Sequence, residues 1–385
     1  MKEGWTYKKL REVTFYPKDK ISLFDITASQ YVGVETLVKD KGGVVFSANL
    51  PNAESATVFL IDDILIGNIR PYLKKIWKAD RQGGASGDVV IVRIPTNLKS
   101  ILSSDYLFKV LSSDKFFEYD NAYTHGAKMP RGDKNAISEY LIPIPPFPIQ
   151  QSIVSELDKI NELITLQKSQ LKDLDALAQS IFYEIFGDPI TNEKGWEVKK
   201  FGELGFIERG AGISKKDFVD NGLPCIHYGQ LHTILGPTTK LHYTSIPKSL
   251  LPKYKTAHTG DLIMAITSED VEGSCKSTAW LGNYDIVVGS DAAILHHEQD
   301  GTFLSYYTMT KAFFIEKSKY AKGFKVTHIS TKEIENIPVY LPPLSLQHQF
   351  AERVEAIDRL KQQVQTAIKD LETLLASRMD YWFND

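Results

Sequence analysis

"IPPF" (144–147) stands one residue type away from the Asp/Asn-Pro-Pro-aromatic tetrad that grips an amino group for methyl transfer. That chemistry needs a polar first side chain, and Ile144 is apolar; "LPPL" (341–344) lacks the aromatic as well. Both Pro-Pro pairs therefore read as rigid junctions. The histidines of "HYGQLH" (227–232) and "LHH" (295–297) suggest a metal, but no carboxylate or cysteine stands at ligand spacing, so they read as polar contact groups. The sequence has no HExxH, no GxGxxG opening a helix, and no Gly-Lys dipeptide with which to build a P-loop. Cys225 and Cys275 are too few and too isolated for a disulfide framework or a Cys-based zinc site, and read as reduced structural thiols. The sites of the common enzymes are missing, which leaves recognition as the chemistry open to this chain.

Recognition residues need scaffolds, and length bounds those. At 385 residues, 43% hydrophobic and 24% charged, the chain suits two domains of about 130 to 150 residues plus connecting elements. It opens with no basic and apolar leader and holds no run of eighteen apolar residues, so a cytoplasmic protein without a membrane partner is expected. The net charge of −3 hides segregation: 20 Lys/Arg stand against 17 Asp/Glu in 1–148, and 17 against 18 in 187–343. Residues 149–186 carry 3 against 6, and 344–385 carry 5 against 7. The acid gathers in the latter two segments, which leaves room for a local basic face on the larger ones.

An internal repeat organises the chain. "GWTYKKLREV" (4–13) returns as "GWEVKKFGEL" (195–204), "DILIGNI" (63–69) as "DLIMAIT" (261–267), and "GDVVIV" (87–92) as "SDAAIL" (290–295). "GAKMPRGDKNAIS" (126–138) returns as "GFKVTHISTKEIE" (323–335), placing Lys128 on Lys325. "LIPIPPFPIQQSIVSEL" (141–157) and "VYLPPLSLQHQFAERV" (339–354) then match Pro-Pro on Pro-Pro and Gln150 on Gln347. Each half is one module with a β-rich body, in which short Val/Ile/Tyr/Phe runs lie between turn residues. Helix is expected over 102–120, giving an α+β body with a curved sheet.

The segments after the prolines carry heptads. Ile153, Ile160, Gln167, Leu174 and Ile181 form one line, with Leu157, Ile164, Leu171, Ala178 and Ile185 four residues on. In the second copy Phe350, Ile357, Val364 and Leu371 form one line, and Val354, Ile368, Leu375 and Trp382 the other, interrupted by Lys361 and Arg378. That is a coiled-coil seam. A helix of about 38 residues spans roughly 57 Å, more than either body can cover, so the two helices are expected to pair. The prolines are expected to bar helix until Gln150 and Gln347, and Gly187 with Pro189 to stop the first helix. Two alike halves related by a pseudo-twofold axis then make the pair antiparallel, with a body at each end of a dumbbell.

At this point the chain resembles the specificity subunit of type I restriction–modification enzymes. The Pro-Pro-then-Gln preface to a long helix, found twice, carries the resemblance, and "DILIGNIRPYLKK" (63–75) is similar to a segment of the family's recognition domains. The second half reads "DLIMAITSEDVEG" there, so no role for Arg70 transfers to it. The resemblance implies recognition domains at 1–148 and 187–343, each followed by a conserved helix, at 149–186 and 344–385. It also implies a non-catalytic subunit that reads double-stranded DNA, one half of a split target per domain. Two modification subunits using S-adenosylmethionine and two restriction subunits using ATP and Mg would do the chemistry, with no cofactor in this chain.

On that reading, Lys and Arg hold phosphates while side-chain donors and acceptors read base edges. The candidates in the first body are Arg70, Tyr72, Lys74, Lys75 and Arg81, with His125, Lys128, Arg131 and Lys134 before the prolines. In the second they are Lys215, Lys216, His227, Tyr228, Gln230, His232, Lys276, Lys322, Lys325 and His328. The alternative is a scaffold that oligomerises through its coiled coil and binds protein or carbohydrate.

Overall fold

A computed structural model of the chain describes residues 3–249, 254–321 and 326–383. Its contacts form two units, one running to Lys168 and resuming at Thr366, the other Ser169–Gln365. Both mix helix and strand.

In the first unit, Thr6–Lys9 pairs antiparallel with Leu141–Ile144, so the strand that enters the prolines closes on the start of the chain. Between them the body is built of several short sheets rather than one curved sheet. One has the order Lys20–Ser22, Ser55–Phe59, Gly83–Ala85, Tyr31–Val32, and another the order Ile76–Lys78, Ile64–Gly67, Val89–Val92. Gly83 permits the first, since a Cβ there would stand 2.0 Å from the Gln30 carbonyl oxygen. The helix expected over 102–120 breaks into Ser104–Leu111 and Asp114–Ala122, because the Ser113 hydroxyl accepts from Phe116 N (3.2 Å) and starts a new helix. Leu10, Ile64, Ile66, Val90, Tyr106, Phe116 and Ile142 form the core, joined by Ile153 and Leu157 of the first long helix and Phe383 of the second.

The second unit repeats the closure, pairing Glu197–Lys200 with Pro338–Leu341. The run "DIVVGSDAAIL" divides between two sheets, Ile286–Val288 in a four-stranded one and Ala292–His297 in a five-stranded one. Ile226, Ile263, Trp280 and Ile294 lie at its core.

Each long helix has 40 residues, Phe147–Phe186 and Leu344–Phe383. Both begin three residues before the glutamines, so the prolines do not bar helix as far as expected. Pro148 fits in the first turn, where its missing N–H would have had no intrahelical partner. Gly187, at φ +75°, ends the first helix as expected.

Within the first unit, Arg378 bonds to Glu156 and Lys168 to Glu372 (2.8 Å); within the second, Lys361 meets Asp175 (2.6 Å) and Arg353 meets Glu184 (3.7 Å). As numbers rise along one helix they fall along the other, so the pairing is antiparallel in both units. Ile153, Leu157, Ile160, Ile164 and Leu174 are buried, as are Phe350, Val354, Ile357, Val364 and Ile368; Leu171, Leu371 and Leu375 are half-buried. Ile181 is half-buried too, and Phe182 and Phe186 take the inner positions instead, Phe182 stacked on Phe303 and the other contacts with Phe303 and Phe350 edge-to-face. A straight helix drifts about 20° per heptad, so four heptads after Ile153 the inward residue has moved on by nearly one.

Candidate nucleic-acid interface

In the first unit the site begins with a buried ion pair. Asp63, 2% exposed, accepts from Leu60 N (2.8 Å) and takes Arg93 through Nε (2.9 Å) and Nη2 (2.7 Å). This fixes the start of Ile64–Gly67, and the chain leaves that strand through Asn68 and Ile69 to Arg70. Arg70 (φ +52°) and Lys74 (φ +49°) are both left-handed and flank the single turn Pro71–Leu73. Such conformations are costly for residues with side chains, doubly so before a proline, and persist only where the surroundings hold them. Here the holds are Leu73 N to Arg70 O (2.9 Å), Arg70 N to Pro130 O (2.7 Å) and Lys74 Nζ to Asp114 (2.8 Å).

The loop before the prolines closes on this turn. Arg131 forms backbone bridges with both Ile69 and His125, and Gly132 N donates to Asn68 O (3.0 Å). Arg70, Tyr72, His125, Lys128, Arg131 and Lys134 are thus brought onto two adjoining loops, all exposed. Arg131 reaches Asp88 at 3.3 Å, and Lys134 donates to Gly87 O (3.2 Å). Other candidates are tied elsewhere. Lys75 Nζ donates to Val34 O (2.6 Å), and Arg81 pairs with Asp80 while lying 4.6 Å over the Phe46 ring. Burial pushes the Asp114 carboxyl up, but hydrogen bonds from Lys74 and Lys41 outweigh it and hold the group below the usual range.

The second unit makes the same loop closure with different side chains. Thr267–Ser268 pairs with Thr327–His328, the positions of Ile69–Arg70 and Pro130–Arg131, and Ile329 N donates to Ile266 O (3.0 Å). Around Thr267 gather His232 (Nε2 to Thr267 O, 3.1 Å), His328 (Nδ1 to Thr267 Oγ1, 3.3 Å) and Lys276, which donates to His232 O (3.2 Å). Tyr228 meets the His232 ring edge-on. Lys215 and Lys216 are exposed on a single turn, Lys215–Asp217. His227 and Gln230 cap the helix Tyr228–Thr233. His227 Nδ1 accepts from Gly229 N (3.2 Å) and Gln230 Oε1 from His227 N (2.8 Å). Burial, then Lys215, holds the His227 pKa below its ordinary value, consistent with an acceptor nitrogen. Lys322 and Lys325 lie outside the described residues.

A family model described as the type I restriction modification DNA specificity domain matches residues 4–176 and again 193–372. The chain belongs to this family. It is similar to the type I restriction enzyme MjaVIII specificity subunit of Methanocaldococcus jannaschii, at 25% identity over 78% of this chain and 77% of that one. A chain solved in work on complex assembly and conformational transition of the type I R-M system matches at 20% identity, covering 98% of this chain and 97% of that one, with TM-score 0.62. The type I restriction–modification S subunit from M. genitalium matches at 13%, covering 99% and 96%, with TM-score 0.54. These two likenesses concern the fold.

In this specificity-domain chain, sequence reading missed the partly buried pair beside each candidate loop. Asp63–Arg93 has its repeat counterpart in Asp261–His296 (2.7 Å), with Glu208 on the other His296 nitrogen at 3.4 Å. The signal was the residue just past each matched sequence run, Arg93 after "VVIV" and His296 after "AAIL". Arg131 and His328, both candidates from the sequence, share a repeat position that the backbone bridges make visible.

Proposed function

We propose that this chain is the DNA-recognition subunit of a type I restriction–modification complex, with each half reading one part of a split, asymmetric target. The carrying observation is the family match on each half, over a body whose reading loop closes by the same bridge, Ile69 to Arg131 and Thr267 to His328. Different side chains on one backbone frame are what reading two different half-sites requires. The long helices act as a ruler that sets the unread spacer. The chain itself is non-catalytic. Methylation belongs to two partner modification subunits with S-adenosylmethionine, and cleavage to two restriction subunits with ATP and Mg, in the cytoplasm. Among the described residues no helix is long and apolar enough to cross a membrane.

Binding of the chain with its modification partner to duplex libraries, across a salt series, tests this. Affinity for a split sequence should exceed that for random duplex, and its logarithm should fall linearly with log salt as phosphate counterions are released. Equal affinity for every duplex would favour the scaffold reading, in which the bodies bind protein or carbohydrate.

A further inference from the structure

The first unit buries two acceptors with nothing to accept from. Asp120 is 1% exposed and, among the described residues, neither carboxyl oxygen has a partner; Asn68 is 7% exposed and its Oδ1 is in the same condition. Gly132 brings them together, since a Cβ there would stand 2.5 Å from Asp120 Oδ1 and 2.9 Å from Asn68 Oδ1. The place matters. Asn68 leads into Ile69 and Arg70, Gly132 follows Arg131, and Asp120 lies on the helix Asp114–Ala122 behind both.

A carboxylate at this point would face a second acceptor with no cation to balance it. With Oδ1 rather than the amide NH2 of Asn68 turned inward, a carboxylic acid supplies the donor that the buried oxygens need. Burial pushes Asp120 up to about 7. The titratable groups that face it do not favour its charge. Tyr16, which donates to Lys134 O (2.9 Å), is raised by burial, then by Asp120 and Asp133. Asp133 caps the following helix and lies 3.7 Å from His125.

The second half solves the same problem without a titrating acid. Lys317 stands at the repeat position of Asp120, Ile329 at that of Gly132, and Ile266 at that of Asn68. Lys317 is buried and its ammonium donates to the carbonyls of Glu272 (2.8 Å) and Ser274 (2.5 Å). Ile266 replaces one orphaned acceptor and the Lys317 ammonium the other, Ile329 fills the place of Gly132, and the backbone bond between the segments is kept.

We propose that Asp120 and Asn68 form a proton-dependent latch on the reading loop of the first half: the protonated carboxyl donates to Asn68 Oδ1, and loss of the proton loosens the Arg131–Gly132 segment from Asn68–Arg70. The folded chain holds this proton more tightly than the unfolded one. The latch is therefore closed on the acid side of neutral and opens as pH rises through about 7. The second half supplies an internal control. The proposal concerns the chain's own loop and stands apart from what that loop reads.

The test combines a carbon-13 carboxyl titration of the full chain with amide hydrogen exchange, corrected for the intrinsic pH dependence of exchange. One aspartate should titrate near neutral pH and be missing in Asp120→Asn, an isostere that keeps a donor toward Asn68. Protection of the Gly132 amide should drop severalfold between pH 6 and pH 8 in the wild type and stay level in Asp120→Asn, with the Ile329 amide level in both. If every aspartate titrates below pH 5, or if Gly132 loses protection equally in the variant, the latch is overturned.

Discussion

The two reading loops differ at one shared backbone position, Arg131 in the first half and His328 in the second, and that difference separates their contributions. Arg131→Ala should weaken binding by about 1–3 kcal/mol and relax preference in one half of the target only, while His328→Ala should do so in the other. Duplexes randomised in one half at a time would check this; relaxation in both halves from either variant would contradict it. His297 gives a stability prediction. Its Nδ1 accepts from Gln299 N (3.1 Å), its Nε2 is buried without a partner, and burial holds its pKa down at about 4. The unfolded chain binds this proton near pH 6.5, so the contribution is complete above that pH and is lost as pH falls toward 4, by up to about 3 kcal/mol. His297→Asn keeps an acceptor for Gln299 and should flatten that part of the stability curve in denaturant melts. The candidate cluster of the first half was traceable in sequence because its Arg, Lys and His fall in two short segments, 70–75 and 125–134, which a backbone bridge sets side by side. The rest was not, because its logic is burial. Asp63 and Arg93 are thirty residues apart in sequence, and His227 with Gln230 form a capping box without the Ser or Thr that usually announces one.

Among the elements, the Pro-Pro prefaces are more than rigid spacers. Gln150 and Gln347 are completely buried. Gln150 donates to Pro145 O (2.9 Å) and Ile101 O (2.8 Å) and accepts from Ser103 N (3.0 Å). Gln347 donates to Pro342 O (2.8 Å) and to Gln299 Oε1 (3.0 Å), and accepts from Asp300 N (3.0 Å). Each glutamine thereby ties the start of a long helix to the entry of the short helix that follows a strand in its own body. Gln150→Leu would leave three polar groups without their partner, the buried Pro145 carbonyl and the part-buried Ile101 carbonyl and Ser103 amide, at about 1–3 kcal/mol for each one that water cannot reach. Denaturant melts should show a loss of at least about 2 kcal/mol, and the matching loss in Gln347→Leu would show that the two junctions are equivalent. The repeat of Gln150 on Gln347 was legible in sequence, but its physical reason was not, since an amide buried among backbone groups leaves no periodic trace. The heptads were legible for the opposite reason, because burial against a partner helix recurs at a fixed period. Even so, a strict seven-residue count overran at Ile181, where Phe182 turns inward. Lys361 and Arg378, which interrupt the second seam, turn out to bond across it to Asp175 and Glu156, so they fix register where apolar residues alone would permit sliding.

For the whole molecule, duplication was the feature most legible in sequence, and the proposed function makes the helices the ruler between two half-sites. A spacer set by a rod should change with the rod. Inserting one heptad after Lys168 and one after Gln365 keeps the apolar lines in phase on both helices and leaves Arg378–Glu156 and Lys361–Asp175 within their own units. Seven helical residues add about 10 Å, roughly three base pairs at ~3.4 Å each. Three base pairs also turn the duplex by more than a quarter of its ~10.5-pair repeat, so the second reading surface must either find a lengthened spacer or face the wrong side of the groove. Methylation mapping of a strain carrying the double insertion with its modification partner distinguishes the outcomes. A longer spacer between unchanged half-sites, or loss of methylation with the fold intact by circular dichroism, follows from a ruler. An unaltered target would mean that something other than helix length sets the spacing, and the two helices would then serve only to join the halves.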